Sequence, residues 1–320
     1  EVHYFNVKSS LDGAGTNYNA TSTSTGAIGT GSLAAGLGSQ AKGDGSIAIG
    51  SAVLDSNGDF VDENDAPTTD PDEYRIARAK GNYSIALGTA AQAKNDKSVA
   101  IGYGAYASNA SAIAIGTNSA ASGENAIAIG AGNIIETTNG TGNYSIALGS
   151  NLTISGKNNI AIGTGHTVTG SNSGAFGDPI TINGDNSYGF GNEITITAND
   201  AFVLGNNASA TVNGGIAIGS GSNASREAGI GYDPATGRPT TQTSNATWAA
   251  TAAAVSIGDA SNETTRQITG VAAGSEDTDA VNVAQLKAAM DSANASGSGS
   301  GGKEVHYFNV KSSLDGAGTN

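Results

Sequence analysis

Residues 85–130 read IALGTAAQAKNDKSVAIGYGAYASNASAIAIGTNSAASGENAIAIG. One phrase returns in them four times: apolar, Ala, apolar, Gly. Its glycines, Gly88, Gly102, Gly116 and Gly130, stand 14 residues apart. After a five-residue insertion the spacing of 14 resumes through Gly149, Gly163, Gly177, Gly191, Gly205 and Gly219. Variants of the phrase occur at Ile47-Ala48-Ile49-Gly50 and Gly229-Ile230-Gly231. Chance enrichment in glycine would not hold phase over ten positions, and a fixed period marks a repeat architecture.

Each unit holds a second segment of period two. Three and five residues after the glycine stand Ala91 and Ala93, Leu152 and Ile154, Ile180 and Ile182, Ile194 and Ile196, Ala208 and Ala210. Alternation over a few residues reads as a short β-strand. Gly156, Gly170 and Gly184, with Asn125, Asn158, Asn172 and Asn186, fall between strands, and both residue types tolerate the positive φ of tight turns. Two strands and two turns in 14 residues make one coil of a solenoid. Coils stack at the inter-strand spacing of about 4.8 Å, so roughly a dozen give a rod on the order of 55 Å long.

Composition agrees. Of 320 residues 48 are Gly, about twice the usual share, and charged residues are 13%, about half the usual quarter. Bulky apolar residues are too sparse for a large conventional core. There is no Cys, so no disulfide framework and no thiolate metal site is possible. Fourteen Lys plus Arg against 28 acids give a net charge of −14, which disfavours nucleic acid. No apolar run reaches the 18 or so residues of a membrane span, and EVHYFNVKSS lacks the marks of a signal peptide. Residues 304–320 repeat residues 1–17 letter for letter, as expected of a segment from a tandem array.

The two strands of a coil differ. In the second, the residue between the apolar pair is usually polar, as at Gln92, Thr153, Thr167, Thr181, Thr195, Ser209 and Asn223. In the first it is Ala86, Ala100, Ala114, Ala128, Ala147, Ala161, Ala175, Gly189, Val203 or Ala217. A strand apolar on both faces is normally covered on both. One face packs on its own coil; the other needs a partner, and nothing else in the chain is long or apolar enough. The expectation is self-association of these strands, with Ile85, Ala86, Ile113, Ala114, Ile127, Ala128, Ile160 and Ala161 as candidates for the shared core. The sequence leaves open which face meets the partner.

After Gly231 the register breaks. Val255-Ser256-Ile257-Gly258 is a last strand-like phrase, followed by RQITGVAAG (266–274) and DAVNVAQLK (279–287). Val283, Leu286, Met290 and Ala293 then fall in steps of 3, 4 and 3, the heptad spacing of a coiled-coil helix. Asp277 and Asp279 precede it, where acids can accept from free N–H groups. Residues 296–302 read as a Gly/Ser linker.

The phased IAIG repeats, RQITGVAAG and DAVNVAQLK together resemble the head and neck of trimeric autotransporter adhesins, the YadA-like head family, over roughly residues 26–295. The resemblance implies an all-β, left-handed parallel β-roll that exists as a homotrimer. It also implies a neck, with Val281, Asn282, Val283 and Leu286 as its candidate residues, and a place on the outer surface of a Gram-negative bacterium, carried by a membrane anchor outside this segment. The expected organisation is a head-start strand segment (1–25), a β-roll head (26–231) with an insertion at 54–82, a transition (232–265), a neck (266–287), a short helix and linker (288–303), and the start of a second head (304–320).

The insertion is the best candidate for ligand contact, since insertions in solenoids project from one face. Its candidates are Asp55, Asp59, Asp62, Glu63, Tyr74 and Arg75. Asp55-Ser56-Asn57-Gly58-Asp59 has the first ligand spacings of a calcium loop, but Phe60 replaces the needed Gly and Ala66 the needed Glu. A solvated acidic loop is the plainer reading, and no metal or other cofactor is expected. His166 stands in an apolar column between Leu152 and Ile180, where it is read as a satisfied or half-exposed histidine. The Thr153, Thr167, Thr181 and Thr195 ladder resembles an ice-binding row, but strand preference accounts for it. With His166 and the duplicated His3/His306 as the only histidines there is no Ser/His/Asp set, and the glycine runs hold no phosphate-binding motif, so no enzyme is expected. The functional expectation is an adhesin head binding a host extracellular-matrix protein, a cell-surface receptor or another bacterium, with no nucleic acid and no direct membrane contact. The alternative is a structural spacer in a tandem-head fibre.

Overall fold

A computed structural model describes residues 5–7, 26–62, 64, 66–67, 75–136 and 142–297. It divides into two compact units, Glu1–Arg266 and Gln267–Asn320. In the first unit the described strands alternate along the chain between a 14-stranded and a 13-stranded sheet. One strand of each sheet, with the two turns joining them, is one coil. Neighbours within a sheet are parallel and one coil apart in register, as in Ile113↔Ile127, Ala114↔Ala128 and Ile115↔Ile129. Insertions leave the register intact: Ile49 pairs with Leu87 and Ile129 with Leu148. Among the described residues the first sheet takes one antiparallel strand, Phe5–Val7 on Leu33–Ala35, which pairs the strand edge that would otherwise be exposed.

The phased glycine is needed twice over. Gly163 has φ 138°, outside the reach of an ordinary side chain. A Cβ built on it would also lie 1.8 Å from the carbonyl oxygen of Gly177 in the next coil. Successive coils touch backbone to backbone at this corner, so no residue with a side chain fits. At the opposite corner Asn125, Asn158, Asn172 and Asn186 take φ between 53° and 56°, as their residue type allows. Buried serines tie that corner across coils: the Ser173 hydroxyl donates to Gly184 O (3.0 Å) and accepts from the Ser187 N–H (3.1 Å).

The core is a thin seam inside the coil. The central alanines of the first-sheet strands, Ala86, Ala100, Ala114, Ala128, Ala147, Ala161 and Ala175 among them, are fully buried. They face Ala91 and Ala93 in early coils, and Leu152, Ile154, Ile180, Ile182, Ile194 and Ile196 in the middle ones, all buried. Volume is traded across the seam. Where three isoleucines meet, the first strand carries Gly189, at which a Cβ would stand 3.2 Å from Ile180 Cγ2.

Two expected boundaries move. Arg78–Ala79 is a second-sheet strand, paired with Gln40–Ala41 and Gln92–Ala93, so the coil resumes before the insertion's expected end at 82. Val255–Ser256 pairs with Ile216 and Ala217, so the solenoid has one more strand beyond residue 231. The excursion between carries a small hairpin, Tyr232–Asp233 with Arg238–Pro239. Arg266 closes the last coil, its guanidinium donating to the Ser222 hydroxyl (3.1 Å) and to the carbonyls of Ser220 and Ile257.

In the second unit the helix spans Val283–Gly297, beginning inside the stretch expected as neck and running through the first residues of the expected linker. Its cap is Asn282, not the expected acids. Asn282 Oδ1 accepts from the Gln285 N–H (3.0 Å) and Gln285 Oε1 accepts from the Asn282 N–H (3.3 Å), a reciprocal capping box. The Asp279 carboxylate instead holds the preceding loop, accepting from the N–H groups of Ser275 (2.9 Å) and Glu276 (3.1 Å). Those bonds, Ser275 first, lower its pKa. No helix among the described residues is long and apolar enough to cross a membrane.

Candidate functional site

The outward face of the first sheet follows from strand alternation. With the alanines turned inward, both flanking residues of each strand point out of the coil. Ile85, Ile113 and Ile127 are half-buried, Ile160 is exposed, and so are Ile49, Ile129, Ile162, Leu204 and Ile218, each near 40%. Phe176 and Phe190 stack on this face with ring centroids 4.7 Å apart, and Phe202 lies 5.7 Å from Phe190. Of the eight residues expected at a shared core, the four alanines therefore lie inside their own chain and the four isoleucines lie on its surface. The result is a continuous stripe of branched and aromatic side chains, unusual for a surface facing water.

The second sheet is polar outside, and near the insertion it is covered. Its outward column runs Gln40, Arg78, Gln92, Tyr106, Ala120, Ile134, Thr153, Thr167, Thr181 and Thr195, in register from coil to coil. The threonines are half-buried or exposed, whereas Gln40, Arg78 and Gln92 are buried. The insertion is thus no freely projecting loop. Its own Val61 and Ile76 are buried, and a Cβ on Gly38 would come within 2.8 Å of the Phe60 ring and 3.4 Å of Ile76 Cγ2. Arg78 Nε donates to Gln40 Oε1 (3.0 Å) under this cover. Gln40 Nε2 and Gln92 Oε1 are buried without a hydrogen-bond partner.

The insertion opens with two similar loops. Asp55 Oδ1 accepts from the N–H groups of Asn57 and Asp59 (2.8 Å each), and Asp62 Oδ1 from those of Asn64 (2.8 Å) and Ala66 (2.9 Å). These are turns closed by an aspartate on its own backbone. The bond from Asp59 contributes most to lowering the Asp55 pKa, and that from Ala66 most to lowering the pKa of Asp62. Both carboxylates are engaged within their own loops, and among the described residues no group of three acids or histidines could hold a metal. The Arg75 N–H donates to Val61 O (2.9 Å) and its carbonyl accepts from Val53, so Arg75 lies beside the second loop. Its guanidinium reaches the Tyr103 hydroxyl at 3.5 Å and lies 5.7 Å from that ring's centre. Glu63 and Tyr74 lie outside the described residues.

His166 is fully buried in the seam. Its Nε2 donates to Ile162 O (3.0 Å) and its Nδ1 accepts from the Ile180 N–H (3.0 Å), which makes it the neutral tautomer. Burial lowers its pKa, against the Ile162 carbonyl and the Asp178 charge, which raise it. In the neck Val281, Val283 and Leu286 are more than half exposed, and the Asn282 amide donates to Val271 O (3.2 Å). The buried Gln40–Arg78–Gln92 column was missed by sequence reasoning. Its signal is a run of long polar side chains in register on either side of an insertion. The capping box was also legible, as Asn-x-x-Gln.

Comparison with known proteins adds four head matches and one stalk match. Residues 27–52, 79–105, 107–133 and 197–222 match the family model described as the YadA head domain repeat, and residues 267–305 that of the coiled stalk of trimeric autotransporter adhesin. The chain is 57% identical over 58 residues to the autotransporter adhesin BadA of Bartonella henselae, covering 18% of this chain and 2% of that protein. It is 77% identical over 35 residues to the trimeric autotransporter adhesin AtaA of Acinetobacter sp. (strain Tol 5), covering 11% of this chain and 1% of that protein. The chain thus spans only a small fraction of the curated relatives it matches. The crystal structure of the collagen-binding domain of the Yersinia adhesin YadA is 27% identical over 73% of this chain and 97% of that one, at a TM-score of 0.31, too low to argue from shared geometry.

Proposed function

From a chain that is a YadA-like head and neck segment of the trimeric autotransporter adhesin type, we propose a non-enzymatic adhesin head that works as a homotrimer on a bacterial surface. The observation that carries the reading is the apolar stripe on the first sheet. Three chains that turn these faces toward one axis remove it from water. Burying the remaining exposed part of one such isoleucine is worth roughly 1 kcal/mol, and the stripe repeats it in nearly every coil. The neck's exposed Val281, Val283, Leu286 and Met290 invite the same treatment, since a helix of Val283–Gly297 is marginal alone. The polar second sheet and its insertion then form the outside, where a host matrix protein, a receptor or another cell would be met. Three copies on a crowded surface add avidity to weak contacts. A membrane anchor beyond this segment would hold the protein in the outer membrane.

Light scattering and a binding panel test this together. The isolated segment is expected at three times its chain mass, and replacing Ile115 and Ile129 with Asp is expected to yield monomers. The trimer is expected to adhere to at least one matrix protein or cell type, and removal of residues 54–75 to weaken that adhesion. A stable wild-type monomer at micromolar concentration sinks the assembly. A trimer that adheres to nothing makes this segment a spacer.

A further inference from the structure

The outward stripe of the first sheet is nearly uniform along most of the solenoid. In register from coil to coil, one column reads Ile113, Ile127, Ile146 and Ile160, and the other Ile115, Ile129, Leu148 and Ile162. The next coils carry Gly174 with Phe176, Tyr188 with Phe190, and Phe202 with Leu204, before Ile216 and Ile218 restore the pattern. These aromatics form one belt. Phe176 and Phe190 stack with centroids 4.7 Å apart and planes 2° from parallel, and Phe202 follows 5.7 Å from Phe190. Tyr188 and Phe176 both lean over Gly174, where a Cβ would stand 2.8 Å from the first ring and 2.9 Å from the second. A side chain at 174 would push both rings off the sheet. Tyr188 stays 42% exposed, and its hydroxyl is the one polar side-chain atom in either column from Ile85 to Ile218.

A surface that repeats at every coil fits a copy of itself almost as well after a slip of one coil, about 4.8 Å. Chains that pair through such a surface need a feature that disfavours the slipped alignments. A single polar group in an apolar seam is the best-attested device of this kind between identical chains. We propose that the aromatic belt, with Tyr188 at its centre, sets the axial register in which three copies of this chain assemble. In register, the three Tyr188 hydroxyls come together, each donating to the next and accepting from the one before. Slipped by one coil, each hydroxyl is buried against hydrocarbon without a partner, at a cost that the aliphatic coils do not impose. The rings then also stand opposite isoleucines, and the volumes no longer match. The partner is a further copy of this chain, because only a copy presents both columns at the same spacing with the belt at the same height. The inference rests on the trimeric reading above and adds to it which of many similar alignments the chains take.

Disulfide mapping on the full chain tests it, since the chain has no Cys of its own. Chains carrying Ile113→Cys, Ile115→Cys, Ile127→Cys or Ile129→Cys are mixed in pairs while unfolded, refolded together and oxidised. With the belt intact, disulfides are expected within one coil, among 113 and 115 or among 127 and 129, and at least tenfold more rarely between the two coils. Tyr188→Phe keeps the ring and removes the hydroxyl. It is expected to raise the between-coil share at least threefold while light scattering still reports a trimer and Tm is unchanged or higher. Levelling the belt with Phe176→Ile, Tyr188→Ile, Phe190→Ile and Phe202→Ile is expected to bring the two shares near parity. Within-coil disulfides alone in either variant overturn the proposal and leave the trimer standing. So do between-coil disulfides at parity in the unaltered chain. A Tyr188→Phe chain that no longer trimerises makes the hydroxyl a source of affinity, not of register, and overturns it too. An unaltered chain that is monomeric by light scattering overturns the trimeric reading itself, and this inference with it.

Discussion

The outward column of the second sheet shows two surfaces on one scaffold. At Thr153, Thr167, Thr181 and Thr195 it is open to water, and short hydroxyl side chains suffice. At Gln40, Arg78 and Gln92 the same column, on the same hydrogen-bonded ladder, is sealed under the insertion. The difference is in the cover, since the coils beneath are alike. A solenoid can thus hold its backbone constant and turn a stretch of plain wall into a buried polar site by letting one loop fold back. The site has the cost of such burial: two amide atoms without partners and an arginine held by a neighbour's oxygen.

The largest expected effect checks that the scaffold is common to both regions. Gly102→Val near the insertion and Gly163→Val far from it each drive a side chain into the next coil's backbone, where a Cβ alone would meet Gly116 O at 2.7 Å and Gly177 O at 1.8 Å. Both are expected to cost more than about 4 kcal/mol and to abolish the folded circular-dichroism signal. Next, Ile76→Ala, at a fully buried position under the cover, is expected to cost about 2–5 kcal/mol in denaturant unfolding. Thr181→Ala on the open wall should stay within about 0.5 kcal/mol. Equal losses at the two would dissolve the contrast.

Arg78→Ala is expected to lose about 1–3 kcal/mol, because it leaves Gln40 Oε1 buried and unpaired. The double change Gln40→Leu with Arg78→Met should regain most of it, as buried polar pairs replaced by apolar volume often do. In the open region the sensitive point is inside the coil. The folded state lowers the His166 pKa below its ordinary 6.5, so the unfolded chain takes up the proton first. Stability from this site is therefore complete above pH 6.5 and lost as pH falls from there toward the folded value. Thermal unfolding between pH 7 and 5 should show the slope, and His166→Leu should flatten it. The smallest effect is at Asp62, half-buried at the surface, whose lowered pKa gives a contribution present above the ordinary carboxylate value and lost as pH falls below it. Asp62→Asn should shift the midpoint of acid unfolding slightly, if at all.

Much of this was written in the chain because a 14-residue period repeats each constraint at every coil. The phased glycines, the asparagines of the far corner and the alternating strands each state a local requirement that no tertiary contact overrides. The candidate site was less legible. Asp55 and Asp59 looked like partial calcium ligands, and folding spent the Asp55 carboxylate on turn N–H groups. Gln92 looked like one more residue of a wet strand face until Phe60, Val61 and Ile76 came to lie over its neighbours. That contact joins residues distant in sequence, and no period announces it.

The order of residues by itself determined the coil, its register, its dry first strand and its breaks, because backbone geometry and side-chain alternation act within a few residues. Only the folded molecule decided which side of that strand turns inward. The seam between the sheets is too narrow for two isoleucines per strand opposite the middle coils' own, so alanine fills it and the larger groups are left outside. It likewise decided which polar residues are buried, since that depends on where an insertion without a repeat of its own comes to rest.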